Sequence, residues 1–146
     1  MVSYADWEDD MGDQRHELGR KFFEHQDRQA GPLGAELVTA DYQAHLGGNP
    51  PMDRAGHDAF GKAFYAGFPD LRHEVTDVFA EGDKVAVRFM LQGTHTGTLF
   101  GMIPPTGKRV TVWANVLMHL EGGKVKRLYG TFDEAGMLRQ LGVIPG

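Results

Sequence analysis

Lys84-Val85-Ala86-Val87-Arg88-Phe89-Met90-Leu91-Gln92-Gly93-Thr94 sets Val85, Val87, Phe89 and Leu91 on one side of an extended chain and Ala86, Arg88, Met90 and Gln92 on the other. Successive strand residues point to opposite faces, so this alternation predicts a strand covered on one side and partly enclosed on the other. Glu81-Gly82-Asp83 reads as a short hairpin turn back to a strand over 73–80. Downstream of a Gly- and Pro-rich loop at 97–108, residues 109–121 and 124–132 form a second hairpin around Gly122-Gly123, a pair suited to positive φ. Met137, Leu138 and Leu141 then give a terminal helix its apolar side.

Upstream, Leu18, Phe22 and Phe23 keep helical spacing over 15–29, and Ala30-Gly31-Pro32-Leu33-Gly34 ends that helix. Residues 1–13 are acidic and read as a frayed, irregular lead-in. A helical turn over 35–39, a short strand over 41–46 and a loop at Gly47-Gly48-Asn49-Pro50-Pro51 follow. Phe60, Phe64 and Phe68 share one face of a helix over 53–68 that Pro69 stops, and 53–58 offers more than one cap. Helices followed by a largely antiparallel sheet predict one α+β domain over 1–146. A strongly bent sheet wrapped around the N-terminal helices makes a cone whose open end is a ligand cavity.

The chain has 146 residues, a formal charge of −5 and no cysteine. An acidic balance with scattered bases argues against nucleic acid as a partner. Absence of cysteine removes disulfides, thiolate nucleophiles and zinc–thiolate sites. The acidic start lacks an apolar signal core and no apolar run is long enough to span a bilayer, so a cytoplasmic protein without a membrane partner is expected. The seven histidines show no H-x-x-x-H or comparable pair, so no metal is expected.

From Met52 to Gly142 the chain resembles the SnoaL-like polyketide cyclase family of the nuclear transport factor 2-like superfamily. The resemblance rests on Ala55-Gly56-His57-Asp58-Ala59-Phe60, Phe68-Pro69-Asp70-Leu71, Gly93-Thr94-His95-Thr96-Gly97, Pro104-Pro105-Thr106-Gly107, Glu121-Gly122-Gly123-Lys124-Val125, and Asp133 with Leu138-Arg139-Gln140-Leu141-Gly142. Asp41-Tyr42-Gln43-Ala44-His45 resembles the family's short strand. The resemblance implies an intramolecular aldol ring closure without metal or organic cofactor. It also implies a carboxylate at Asp133 as acid/base, with His119 nearby. Tyr129 and Arg127-Leu128 depart from the family pattern, in which Trp stands at the former and His or Glu around the latter.

Asp133 precedes a predicted helix, so it reads either as a catalytic carboxylate in an apolar mouth or as an N-cap. His119 is its expected partner. If Glu121 pairs with Lys124, however, His119 shares a face with Lys126, Leu128 and Gly130, opposite in parity to Asp133. A bulge near Gly130 is expected to bring Asp133 round. Trp113 and Asn115 share the His119 face and read as substrate contacts or as a subunit interface. Tyr129 offers a hydroxyl donor, and Tyr42 and His45 read as walls of the cone mouth. His95 in its Gly-flanked segment reads as structural.

These readings predict an enzyme that closes a carbon–carbon ring on a small hydrophobic ketone, most of its effect coming from folding the substrate into a reactive pose. Two alternatives stand beside it: a non-catalytic small-molecule binder or dimerisation module, and a ketosteroid-isomerase-like proton shuttle. The open sheet face also predicts a homo-oligomer, a dimer or tetramer.

Overall fold

The computed structural model describes residues 4–146, with side chains from residue 14 onward. The first helix, α1 (Tyr4–Gln29), begins well before Arg15, where the apolar spacing starts, and covers most of the expected lead-in. Its acidic early residues stand at the end where the helix dipole favours negative charge. Residues 1–3 of that lead-in lie outside the described residues. The chain continues through β1 (Val38–Leu46), α2 (Arg54–Gly67), β2 (Arg72–Glu81), β3 (Lys84–Thr94), β4 (Arg109–Glu121), β5 (Lys124–Phe132) and α3 (Glu134–Leu141).

The strands form one sheet in the order β1-β5-β4-β3-β2. β1 runs parallel to β5, and the other neighbours are antiparallel. Val85, Val87, Phe89 and Leu91 of β3 and Val112, Ala114, Val116 and Met118 of β4 are all buried, as are Phe22, Phe23 and Phe64 of the helices. That inner face is the core. Among the described residues no helix covers the opposite face, which leaves Phe79 69%, Trp113 41% and Tyr129 41% exposed. The architecture is α+β, as helices followed by a largely antiparallel sheet implied.

Asp53 caps α2, its carboxylate accepting from Gly56 N–H at 2.8 Å. The helix then packs on the turn after α1 through a glycine pair. A side chain on Gly61 would stand 3.1 Å from Gly31 Cα, and Gly31 itself has φ +124°. That close approach brings the inner side of α2 over the end of α1.

The β4–β5 hairpin turns at Gly122 and Gly123, both at positive φ. Its bulge lies beside the turn, not near Gly130: Leu120 faces Val125 but His119 faces Arg127, leaving Lys126 as the extra residue. Gly130 pairs regularly with Val116. A buried Val125 followed three positions later by a buried Leu128 is the physical reason, since unbroken alternation over that odd spacing would turn one of them to solvent.

His95 is fully buried and clasps the following loop. Its Nδ1 lies 2.9 Å from Thr106 Oγ1 and accepts from Thr106 N–H at 3.2 Å. Among the described residues no helix is long and apolar enough to cross a membrane.

Candidate active site in an apolar cavity

Between the helices and the inner sheet face lies a cavity of about 180 Å³. Phe22 and Phe23 of α1, Phe60 and Phe64 of α2, and Phe89, Leu91, Ala114, Val116 and Leu128 of the sheet form its walls. Exposed Gly47, Gly48, Asn49, Thr131 and Glu134 also line it and mark its open end. The polar groups deeper inside are Gln26, His57, Tyr65 and His73.

His57 is carried inward because it stands one turn before Phe60 and Gly61 on the apolar side of α2. Its Nδ1 lies 2.8 Å from the hydroxyl of Tyr42, a fully buried residue of β1. That hydroxyl has no other partner among the described residues, so its proton goes to Nδ1. The imidazole then carries its own proton on Nε2, as a donor on the cavity side. Burial drives the His57 pKa down to about 4, with Asp58 opposing the effect and His73, when protonated, adding to it. At neutral pH this ring is an uncharged donor. Burial, and then the charge of Asp58, raise the Tyr42 hydroxyl far above its ordinary range.

His73 is oriented by the opposite logic. Asp27, one turn beyond Phe23 on α1, accepts from His73 Nδ1 at 2.7 Å, from the His73 backbone N–H at 2.9 Å and from the Tyr65 hydroxyl at 2.5 Å. Burial would raise the Asp27 carboxyl, but the His73 hydrogen bonds and charge, with Tyr65, outweigh it and hold the pKa below the usual value. A carboxylate on Nδ1 leaves the Nε2 of a neutral imidazole as a lone pair. The ring is clamped between Phe23, stacked at 5.0 Å, and Phe89, also at 5.0 Å. Tyr65 is held protonated by burial and by its bond to Asp27.

The cavity therefore offers one hydrogen-bond donor from His57, fixed by the buried Tyr42, and one base from His73, fixed by the half-buried Asp27. Among the described residues no three of His, Asp and Glu converge as a metal-binding set.

The residues singled out by sequence lie elsewhere, apart from Tyr42. Asp133 is exposed and caps α3, its carboxylate accepting from Gly136 N–H at 2.8 Å, and it does not line the cavity. The short chain link from β5 to α3 leaves this carboxylate facing its own helix, so the expected acid/base role loses its setting. His119, Trp113, Asn115 and Tyr129 all sit on the open sheet face, because the bulge at Lys126 puts His119 and Tyr129 on the same side. His45 joins them, stacked on Tyr129 at 4.7 Å, with His119 5.3 Å from the same ring. Arg88 covers Trp113 at 4.0 Å. None of these five lines the cavity. Tyr42 points inward, behind His57, as a support for that ring.

Sequence reasoning missed His57, His73, Asp27, Tyr65 and Gln26. A usable signal existed: His57 with Phe60 and Phe64, and Asp27 with Phe23, are polar residues standing on apolar helical stripes.

A family model described as SnoaL-like polyketide cyclase matches residues 17–141. No curated protein matches the sequence. Among solved structures, AclR of Streptomyces galilaeus, a proposed hydroxylase, is 25% identical over 90% of this chain and 87% of its own, with a TM-score of 0.78. IdmH of Streptomyces antibioticus, a proposed polyketide cyclase, is 28% identical over 89% and 96%, with a TM-score of 0.70. A protein of Catenulispora acidiphila with a ketosteroid isomerase-like fold shares 17% identity over 73% and 77%, at a TM-score of 0.61. It shares the architecture alone.

Proposed function

Because the chain belongs to the SnoaL-like polyketide cyclase family, we propose that its cavity promotes enolate chemistry on a small ketone, with His73 as the base in place of Asp133. The observation that carries this reading is the pair of oppositely poised imidazoles lining one apolar cavity.

His73 Nε2 takes the proton from the carbon alpha to a ketone, and the electron pair moves onto the carbonyl oxygen. The His57 Nε2–H donates to that oxygen as it gains charge, in a site where water is scarce. For ring closure the enolate carbon attacks a second carbonyl carbon of the same molecule, forming the carbon–carbon bond. The alkoxide so formed recovers the proton from His73. Asp27 never leaves its carboxylate state; it stabilises the imidazolium and fixes the ring. Apolar walls fold the substrate and supply the remaining advantage.

A volume of about 180 Å³ lies below the ~300–1,000 Å³ of drug-sized pockets. One ring, or one reacting segment of a longer molecule, is the size class that fits.

The test is α-proton exchange of cyclohexanone in deuterated buffer, followed by NMR. The wild-type chain is expected to accelerate exchange. His73→Ala is expected to remove ~10²-fold or more of that rate, and Asp27→Asn a large part of it. Full exchange activity in His73→Ala rejects the base assignment. Binding of the ketone without exchange favours the binding-module reading. The open sheet face, with its exposed Trp113, Leu117 and Tyr129, supports a homodimer as a further part of the proposal.

A further inference from the structure

We propose that Gln26 is a specificity-determining residue that holds a second oxygen of the ligand, so that the substrate class is a ketone bearing another hydroxyl or carbonyl group. The proposal rests on the enolate reading of the same cavity. Gln26 is 6% exposed and lines the cavity from α1, one position before Asp27. Its side-chain amide makes no hydrogen bond among the described residues, although an amide brings both donors and an acceptor. The one sealed side-chain polar atom without a partner among the described residues is His95 Nε2. The Gln26 amide is therefore not shut into the core and keeps its opening to the cavity.

A buried amide facing an otherwise apolar chamber is costly unless something occupies its donors. The other polar groups here are already engaged on one side. His57 is held by Tyr42, and His73 and Tyr65 are held by Asp27. Gln26 alone is uncommitted, which suits a group that reads a ligand instead of supporting the catalytic rings. Catalysis uses one substrate oxygen, at His57. The Gln26 amide then meets a second, and a glutamine can donate to a carbonyl or exchange both bonds with a hydroxyl.

The experiment compares cyclohexanone with its 2-, 3- and 4-hydroxy derivatives, reading Kd by ligand-observed NMR with the full chain. In the wild type at least one hydroxy isomer is expected to bind ~tenfold or more tightly than cyclohexanone, as at sites built to pair a substrate hydroxyl. Gln26→Leu, and the flexible Gln26→Met as a second variant, are expected to erase that preference, read as the ratio of hydroxy-ring to cyclohexanone affinity within each protein. Equal binding of all four rings, a preference surviving both substitutions, or no binding by any ring overturns the proposal. Cyclohexanone exchange separates the two ideas. A Gln26-dependent preference without His73-dependent exchange keeps the anchor and rejects the enolate step; exchange without preference does the reverse.

Discussion

Asp133 and Asp27 are both carboxylates at helix ends, yet their surroundings ask different things of them. Asp133 is exposed and occupied by Gly136 N–H, so its work is capping. Asp133→Ala is expected to cost ~0.5–2 kcal/mol in denaturant unfolding while ketone exchange stays at the wild-type rate. A collapse of exchange in a folded Asp133→Ala protein returns the carboxylate to the chemistry. His57 gives the second residue-level prediction. Its folded pKa is about 4, against ~6.5 when unfolded, so between these values the unfolded chain binds more protons. Stability is then full above the unfolded value and falls as pH drops toward the folded one, by at most ~1.4 kcal/mol per pH unit. Asp27, whose carboxyl is held low, adds a further loss at more acid pH, below the ordinary Asp range. Urea unfolding at pH 7 and pH 5 should show a smaller difference in His57→Gln than in wild type. Equal pH sensitivity in the two proteins removes His57 as the cause.

The elements deliver these residues through close approaches that leave little room. A side chain at Gly61 points at Gly31 backbone 3.1 Å away, and backbone cannot yield as a flexible side chain can. Gly61→Val is expected to lower stability by ~1–3 kcal/mol and to cut ketone exchange as α2 shifts His57; a thermal melt and the exchange assay check both. The bounds of β3, β4 and β5 were legible because strict alternation and two glycine-bearing turns leave a strand few choices. The bulge was half legible. Parity showed that one had to exist, but the odd spacing from Val125 to Leu128 that fixes it at Lys126 concerns burial, which emerges only once the sheet is covered. The site was less legible still. His57, His73, Asp27 and Gln26 come from three elements far apart in the chain, and nothing local records that α1 and α2 converge over β2. Family likeness drew attention to the end of β5, where this chain puts Leu128, Gly130 and Phe132 on the inner face.

For the whole molecule, the same alternation that fills the core also furnishes the opposite face. Trp113, Leu117 and Tyr129, with Phe79 at the far strand, present apolar surface on a sheet face that no helix covers among the described residues. His45, Tyr129 and His119 form a run of rings there, and Arg88 lies flat on Trp113. Exposed apolar patches of this kind mark association sites, and a face that pairs with its own copy about a twofold axis needs no other partner. Of the two readings of Trp113 and Asn115, substrate contact or subunit interface, the proposed dimer takes up the second. Sedimentation velocity is expected to give a dimer for the unmodified chain. Trp113→Glu combined with Leu117→Glu, both on exposed positions, should give a folded monomer whose far-UV circular dichroism is unchanged. Because the cavity lies between the helices and the inner sheet face, opposite the exposed Trp113 and Leu117, that monomer should still exchange the α-protons of cyclohexanone. A monomeric unmodified chain at high concentration rejects the dimer, and a monomeric variant that loses exchange would mean that the partner supports the cavity from behind the sheet.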